Sequence, residues 1–258
     1  MQNKWIRPLW LREKFNAKFS GNLNGVSDKN VPLEFNSKIC LDLMHEDVGH
    51  RSVILNGFYD LPLTTTMLKL ASERGILVDV GANYGYFSCL WASQNAANKV
   101  YAFEASPLNI GPLKNNISKN NLSDRIFPSQ TAIGKEKGIL KFDLAKEEDQ
   151  TGWGGLTLQN KKGAIQVEVD TLDNIAALNN ITSIKVLKID TEGADTWVLY
   201  GAENLIKNKQ IGHIFYEDNP YRRDLLNIKF TDAREFLEKH HYTVKRIATH
   251  DYYAYPKP

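Results

Sequence analysis

Four acids in this sequence sit at the ends of apolar, β-branched runs: Asp79 in "ILVDV", Glu104 after "KVYAF", Asp190 after "IKVLKI" and Glu217 after "IGHIFY". Carboxylates at such ends can accept hydrogen bonds from ligand hydroxyls, neutralise a cationic ligand, or take a proton from an attacking group. Glu192 and Asp195 follow Asp190 closely and Asp218 follows Glu217, so two of the ends are multiply acidic. Oxygen ligands in a cleft would also suit magnesium. Clustered acids at a helix start are more often partners of the helix dipole, so a divalent metal is chemically permitted but not expected.

The elements around these acids alternate. "LPLTTTMLKLASERG" puts Leu63, Met67, Leu70 and Ala71 on one helical stripe, with Pro62 near its start and Gly75 as its stop. Residues 76–80 read as a buried strand, "FSCLWASQNA" as a helix and 99–105 as a second strand. Ser106 and Pro107 resemble a cap and first turn for a helix to about Asn120. "RIFPSQTAIG" predicts a third strand ending near Ile133, and "GILKFDL" with "AIQVEVD" an inserted hairpin. Residues 184–190 and 211–217 predict the fourth and fifth strands. "ADTWVLYGAENLIKN" carries Trp197, Val198, Gly201, Ala202 and Leu205 at helical spacing. "TDAREFLEKH" follows as a helix capped by Thr231, and two strands around His250-Asp251 end the chain. Five β/α steps and a terminal antiparallel hairpin predict an α/β fold with an open, doubly wound, mostly parallel sheet.

Ligands of such sheets bind beyond the carboxyl ends of the strands. There Gly81, Asn83 and Gly85 form the turn out of the first strand. A dinucleotide would want G-x-G-x-x-G with its pyrophosphate on the helix N-terminus. Here Asn83 replaces the second glycine, the third comes one position early, and Asp79 would repel a phosphate. A nucleoside with a positive centre fits better, and S-adenosylmethionine, with its ammonium and sulfonium, is such a ligand. Glu104, 25 residues past Asp79, suits ribose hydroxyls. Taken alone, Asp79 could be a turn or capping acid and Glu104 an exposed strand end.

At this point the sequence resembles the FkbM family of S-adenosylmethionine-dependent methyltransferases. The resemblance lies in "LVDVGANYGYFS" (77–88), "VYAFEASPLN" (100–109), "TAIG" (131–134), "VEVDTLDNI" (167–175), "VLKIDTEGADTWVLYGAENLI" (186–206) and "HIFYE" (213–217). It implies the seven-stranded, Rossmann-like class I methyltransferase fold and O-methylation of a hydroxyl on a sugar, glycan or secondary metabolite. It also implies that Asp79, Gly81, Asn83, Gly85, Tyr86, Glu104, Ala105 and Ala132 hold the cofactor, with Asp190 beside the transferable methyl. Residues 1–50, a basic arm and lead-in, lie outside the resemblance, and 51–258 form the methyltransferase domain.

A sugar hydroxyl is a weak acid, so a positioned base helps, by about 10² to 10⁴-fold. Asp190, Glu192 and Glu217 are the candidates. Asp190 could instead hold the methionine amine or cap the next helix. Trp153, in the glycine-flanked "GWGGL", could stack on the acceptor or tuck into the local core. Asp60 in "NGFYD" could approach the cofactor amine or cap a helix. His213 lies near the start of its strand and reads as a core histidine, and the other histidines show no ligand spacing. "EDNPY" looks like the Asn-Pro-aromatic motif of amino-group methyltransferases but follows the fifth strand, so it reads as a proline turn.

Net charge is +2, with no basic stripe beyond the N-terminus, so a nucleic-acid partner is not expected. The alternatives that stay open are an N-methyltransferase of nucleic acid or another amine, and a non-catalytic nucleoside-binding domain. Residues 1–19 hold Lys4, Arg7, Arg12, Lys14 and Lys18 against Glu13, with Trp5, Trp10 and Phe15 interleaved. Such an arm could lie on an anionic surface as a peripheral membrane contact, or pack as a helix on its own domain or a sister subunit, leaving the oligomeric state open. No apolar run is long enough to span a bilayer, and two well-separated cysteines suit a cytoplasmic protein.

Overall fold

The computed structural model describes residues 7–19, 26–144 and 150–257. Lys4 and Trp5 of the arm lie outside them. Helix α1 (Leu9–Phe19) precedes two short antiparallel strands, β1 (Val31–Pro32) and β2 (Cys40–Leu41). Helices α2 (Val48–Asn56) and α3 (Leu61–Ala71) follow, joined through Gly57 in the left-handed region. The alternation then begins: β3 (Ile76–Val80), α4 (Tyr86–Gln94), β4 (Lys99–Phe103), α5 (Ile110–Lys119) and β5 (Ile126–Ser129).

Next come the inserted strands β6 (Ala132–Ile133), β7 (Gly138–Asp143), β8 (Gly155–Thr157) and β9 (Ile165–Asp170). The main sheet resumes after α6 (Leu172–Leu178) with β10 (Ile184–Ile189), α7 (Asp195–Tyr200), α8 (Glu203–Lys207) and β11 (Ile211–Glu217). Helices α9 (Pro220–Leu225) and α10 (Asp232–Lys239) and strands β12 (Tyr242–Arg246) and β13 (Asp251–Pro256) end the chain.

The seven-stranded sheet runs β12-β13-β11-β10-β3-β4-β5, parallel except for β13, which is antiparallel to both neighbours. This is the expected doubly wound sheet with its terminal hairpin. The order reverses between β3 and β10, and their carboxyl ends open the crevice in which ligands of such sheets bind. Both faces are covered, so the central strands are nearly uniformly apolar: Leu77, Val78, Val186, Leu187 and Ile214 are almost fully buried.

Four expectations are corrected. The third strand stops at Ser129, because Ala132–Ile133 leaves the main sheet to pair in parallel with β9. The insertion is therefore a four-stranded sheet, ordered β6-β9-β7-β8, rather than a hairpin. The helix after the second strand starts at Ile110, since the Ser106 carbonyl accepts the amides of Asn109 and Ile110 in a turn of its own. Residues 195–207 form two helices, α7 and α8. Gly201 marks the break, where a Cβ would stand 2.0 Å from the Gly134 carbonyl oxygen. Close approach to the insertion, rather than helix propensity, decides that glycine.

Candidate active site

The turn after β3 needs two backbone conformations that ordinary residues avoid. Gly81 has φ +79° and Gly85 φ +90°, with Asn83 between them at +50°. A Cβ on Gly81 would lie 1.8 Å from the carbonyl oxygen of Asp190, and one on Gly85 2.7 Å from Leu113. The turn thus lies against the end of β10. The amides of Gly81 and Ala82 both donate to the Phe103 carbonyl, tying it to β4 as well.

Glu104 orients this turn. Its carboxylate accepts the Asn83 amide at 2.7 Å and the Ser106 amide at 2.8 Å. Burial pushes its carboxyl up to about 7, against the lowering effect of those two donors. It lies in a cleft of about 580 Å³ with Gly81, Asn83, Ala105, Ala132 and Asp190, so five expected contacts besides Glu104 meet there.

Asp79 is not at the mouth of the turn. It is 1% exposed, one layer below the clefts, where Oδ2 accepts the Ser88 hydroxyl at 2.7 Å. Its Oδ1 has no donor in hydrogen-bond geometry and faces the Lys188 ammonium at 3.3 Å. Gly85 likewise lies behind the turn, against α5.

A second cleft, about 990 Å³, shares Gly81, Asn83, Gly152 and Asp190 with the first, so the two are continuous. Tyr86, Trp153, Glu192 and Glu217 line it together with Asp47, His50 and Tyr59. Trp153 is 45% exposed and faces this cleft rather than a local core. Asp60 caps α3, its carboxylate accepting the Leu63 amide, and borders a third cavity with Lys188, Asp190 and Glu217.

Asp190, Glu192 and Glu217 each bring one oxygen within 4.8 Å of the others. Asp195 sets this spacing from beneath. One oxygen accepts the Thr191 amide and hydroxyl, the other the Glu217 amide at 2.8 Å, linking the two strand ends. Glu192 is delivered by a residue at φ +54° followed by Gly193 at +99°, and receives the Asn219 side-chain amide at 2.8 Å. Burial first and the Asp190 charge second push Glu192 up to about 7 and Glu217 up to about 9. Asp190 does not cap a helix: α7 begins after Ala194, with no side-chain cap.

Several wall residues carried no signal in the sequence. His50 lies on α2, and its Nδ1 accepts the Met44 amide, which leaves the proton on Nε2 to donate to Asn83 Oδ1 at 3.1 Å. Burial lowers its pKa, so the ring stays neutral. Asp47 accepts the His50 amide on one oxygen and the Gly152 amide on the other. Gln150 accepts the Val48 amide and donates to the Glu46 carbonyl. The lead-in before α2 and the "GWGGL" loop thus close the trough together.

His213 is half-buried in β11, bonded to the Tyr253 hydroxyl, away from the clefts. Asn219 and Pro220 are not a free turn. They open α9, with the Asn219 side-chain oxygen accepting the Arg222 amide and its nitrogen donating to Glu192.

In sequence comparison, residues 79–244 match the methyltransferase FkbM domain. The chain belongs to the FkbM methyltransferase family.

Among relatives of this FkbM chain, the hexuronic acid methyltransferase AglP of Haloferax volcanii is 25% identical over 142 residues, 55% of this chain and 56% of that protein. The 31-O-demethyl-FK506 methyltransferase FkbM of Streptomyces tacrolimicus is 25% identical over 157 residues, 50% and 60% of the two chains. The FkbM chain thus spans less than two thirds of each of these two curated relatives. A precorrin-6y C5,15-methyltransferase from Geobacter metallireducens superposes with a TM-score of 0.46 at 14% identity, over 78% of this chain and 90% of that one.

Proposed function

We propose that the protein transfers a methyl group from S-adenosylmethionine to a hydroxyl of a sugar, glycan or secondary metabolite. The observation that carries this reading is one continuous trough. It runs from the glycine turn and Glu104, past Asp190, to an acid trio under an exposed tryptophan. Five acids line its two clefts (Asp47, Glu104, Asp190, Glu192 and Glu217), against one lysine, Lys188, which two carboxylates already engage. Such a lining suits a sulfonium nucleoside and rejects a pyrophosphate.

In this reading Gly81, Asn83, Ala105 and Ala132 admit the nucleoside and Glu104 meets its ribose hydroxyls. Tyr86 and Asp60 border the methionine end. When bound, the cofactor supplies an electrophilic methyl on a cationic sulfur. Asp190, where the clefts join, borders that methyl. Glu192 and Glu217 orient the acceptor hydroxyl, and whichever of the two is ionised takes its proton as the new carbon–oxygen bond forms. Carboxylates held above their usual range retain such a proton readily. Trp153 offers the acceptor a flat apolar face.

The test has two arms. Isothermal titration should show S-adenosylmethionine binding, and its absence would sink the reading. Labelled methyl incorporation into glycan, sugar-nucleotide and lipid-linked saccharide pools should then identify an alkali-stable ether product. A methylated amine in its place would overturn the choice of hydroxyl.

A further inference from the structure

Lys188 is a charged residue near the carboxyl end of a buried strand whose other buried positions are valine, leucine and isoleucine. Burying an ammonium there is costly unless it is paired. The sheet supplies the pairing. In the parallel register of β3 and β10, Lys188 lies directly beside Asp79. Side chains alternate along a strand, so Asp190, two residues on, points to the same face as Lys188.

The ammonium lies 3.3 Å from Asp79 Oδ1 and 3.4 Å from Asp190 Oδ2, with the Phe87 ring 5.2 Å away. Asp79 in turn holds Ser88 at the start of α4, next to the glycine turn.

We infer that Lys188 is a positioning residue for the cofactor: it holds Asp79 and Asp190, at the ends of adjacent strands, in one fixed arrangement. This rests on the methyltransferase reading. Asp79 reaches no cleft itself, so its charge acts on a ligand through this lysine and the strand ends. Without the ammonium, the partly exposed Asp190 carboxylate would lose the tether that holds it beside the buried Asp79. Asp190 would then be free to turn away from the place where a sulfonium must sit. A ligand of the same shape without that positive charge would be affected far less.

The experiment compares S-adenosylmethionine with S-adenosylhomocysteine, the same molecule without the methyl and the sulfonium charge, by titration calorimetry on Lys188→Met and Lys188→Arg. Thermal melts establish that each variant is folded. Lys188→Met should lose S-adenosylmethionine affinity by about tenfold or more, and S-adenosylhomocysteine affinity by less than about threefold. Lys188→Arg, which keeps the charge, should recover most of the difference.

Should Lys188→Met not fold, the double variant with Asp79→Asn removes both charges of the buried pair but still leaves Asp190 untethered, and the same unequal loss is expected. Equal losses for the two ligands in a folded variant would reduce Lys188 to a packing residue and overturn the inference. A wild-type protein that bound neither ligand would instead sink the methyltransferase reading itself.

Discussion

Gly81 and Asp190 meet backbone to backbone: a Cβ on the glycine would stand 1.8 Å from the aspartate carbonyl oxygen. The Asp190 amide also donates to the carbonyl of Val80, so the two strand ends grip each other on both sides of the turn. Gly81→Ala therefore meets a clash and a left-handed φ at once. The expected cost is on the order of 3 kcal/mol or more in urea denaturation, with S-adenosylmethionine binding abolished.

Glu192 approaches Asp190 from the loop after β10 and Glu217 from the end of β11, and their separation is set by Asp195 rather than by each other. Glu192→Gln and Glu217→Gln keep the shape of each side chain and remove its proton-accepting power. Methyl transfer should fall by about a hundredfold in at least one of them, while cofactor affinity changes by less than about threefold. If neither loses rate, the acids are not the base.

The same carboxyls make stability depend on pH. Glu104 and Glu192 are raised to about 7 and Glu217 to about 9, mainly by burial, so the folded protein holds protons that the unfolded chain has released. A raised carboxyl stabilises below its unfolded value and loses that contribution as pH climbs through the folded one. The melting temperature of the ligand-free protein should therefore fall between pH 7 and pH 9, and Glu217→Gln should flatten the slope. A melting temperature that rose across this window would contradict the assignment.

Asp47 bonds both the start of α2 and the Gly152 amide of the loop that carries Trp153. Asp47→Asn can still cap the helix through its carbonyl oxygen, but its amide nitrogen cannot accept from Gly152. Global stability should shift by less than about 0.5 kcal/mol, whereas cofactor dissociation should accelerate by about tenfold, followed by tryptophan fluorescence in stopped flow. Trp153→Ala should leave cofactor affinity unchanged and raise the acceptor KM by about tenfold.

The alternation of apolar runs with amphipathic stretches was enough to place all five parallel strands and the hairpin, because period and turn residues are local properties. It was also enough to mark Gly81, Glu104 and Asp190 as strand-end residues, since a doubly wound sheet puts every such end on one side. The extra strands of the insertion were not legible. Two- and three-residue strands such as β6 and β8 carry no period of their own and exist because β9 and β7 pair with them.

By itself, then, the sequence determined the fold class, the glycine turn and the acids that end the strands, all of which follow from patterns within a few residues. The tertiary structure alone decided how those acids are used. The register of β3 against β10 sets Lys188 beside Asp79 and withdraws that acid beneath the clefts. The packing of α2 brings His50 to Asn83 of the glycine turn and Asp47 to the Gly152 amide, each from more than thirty residues away. Register and packing depend on which distant surfaces exclude water together, and a one-dimensional pattern does not contain that information.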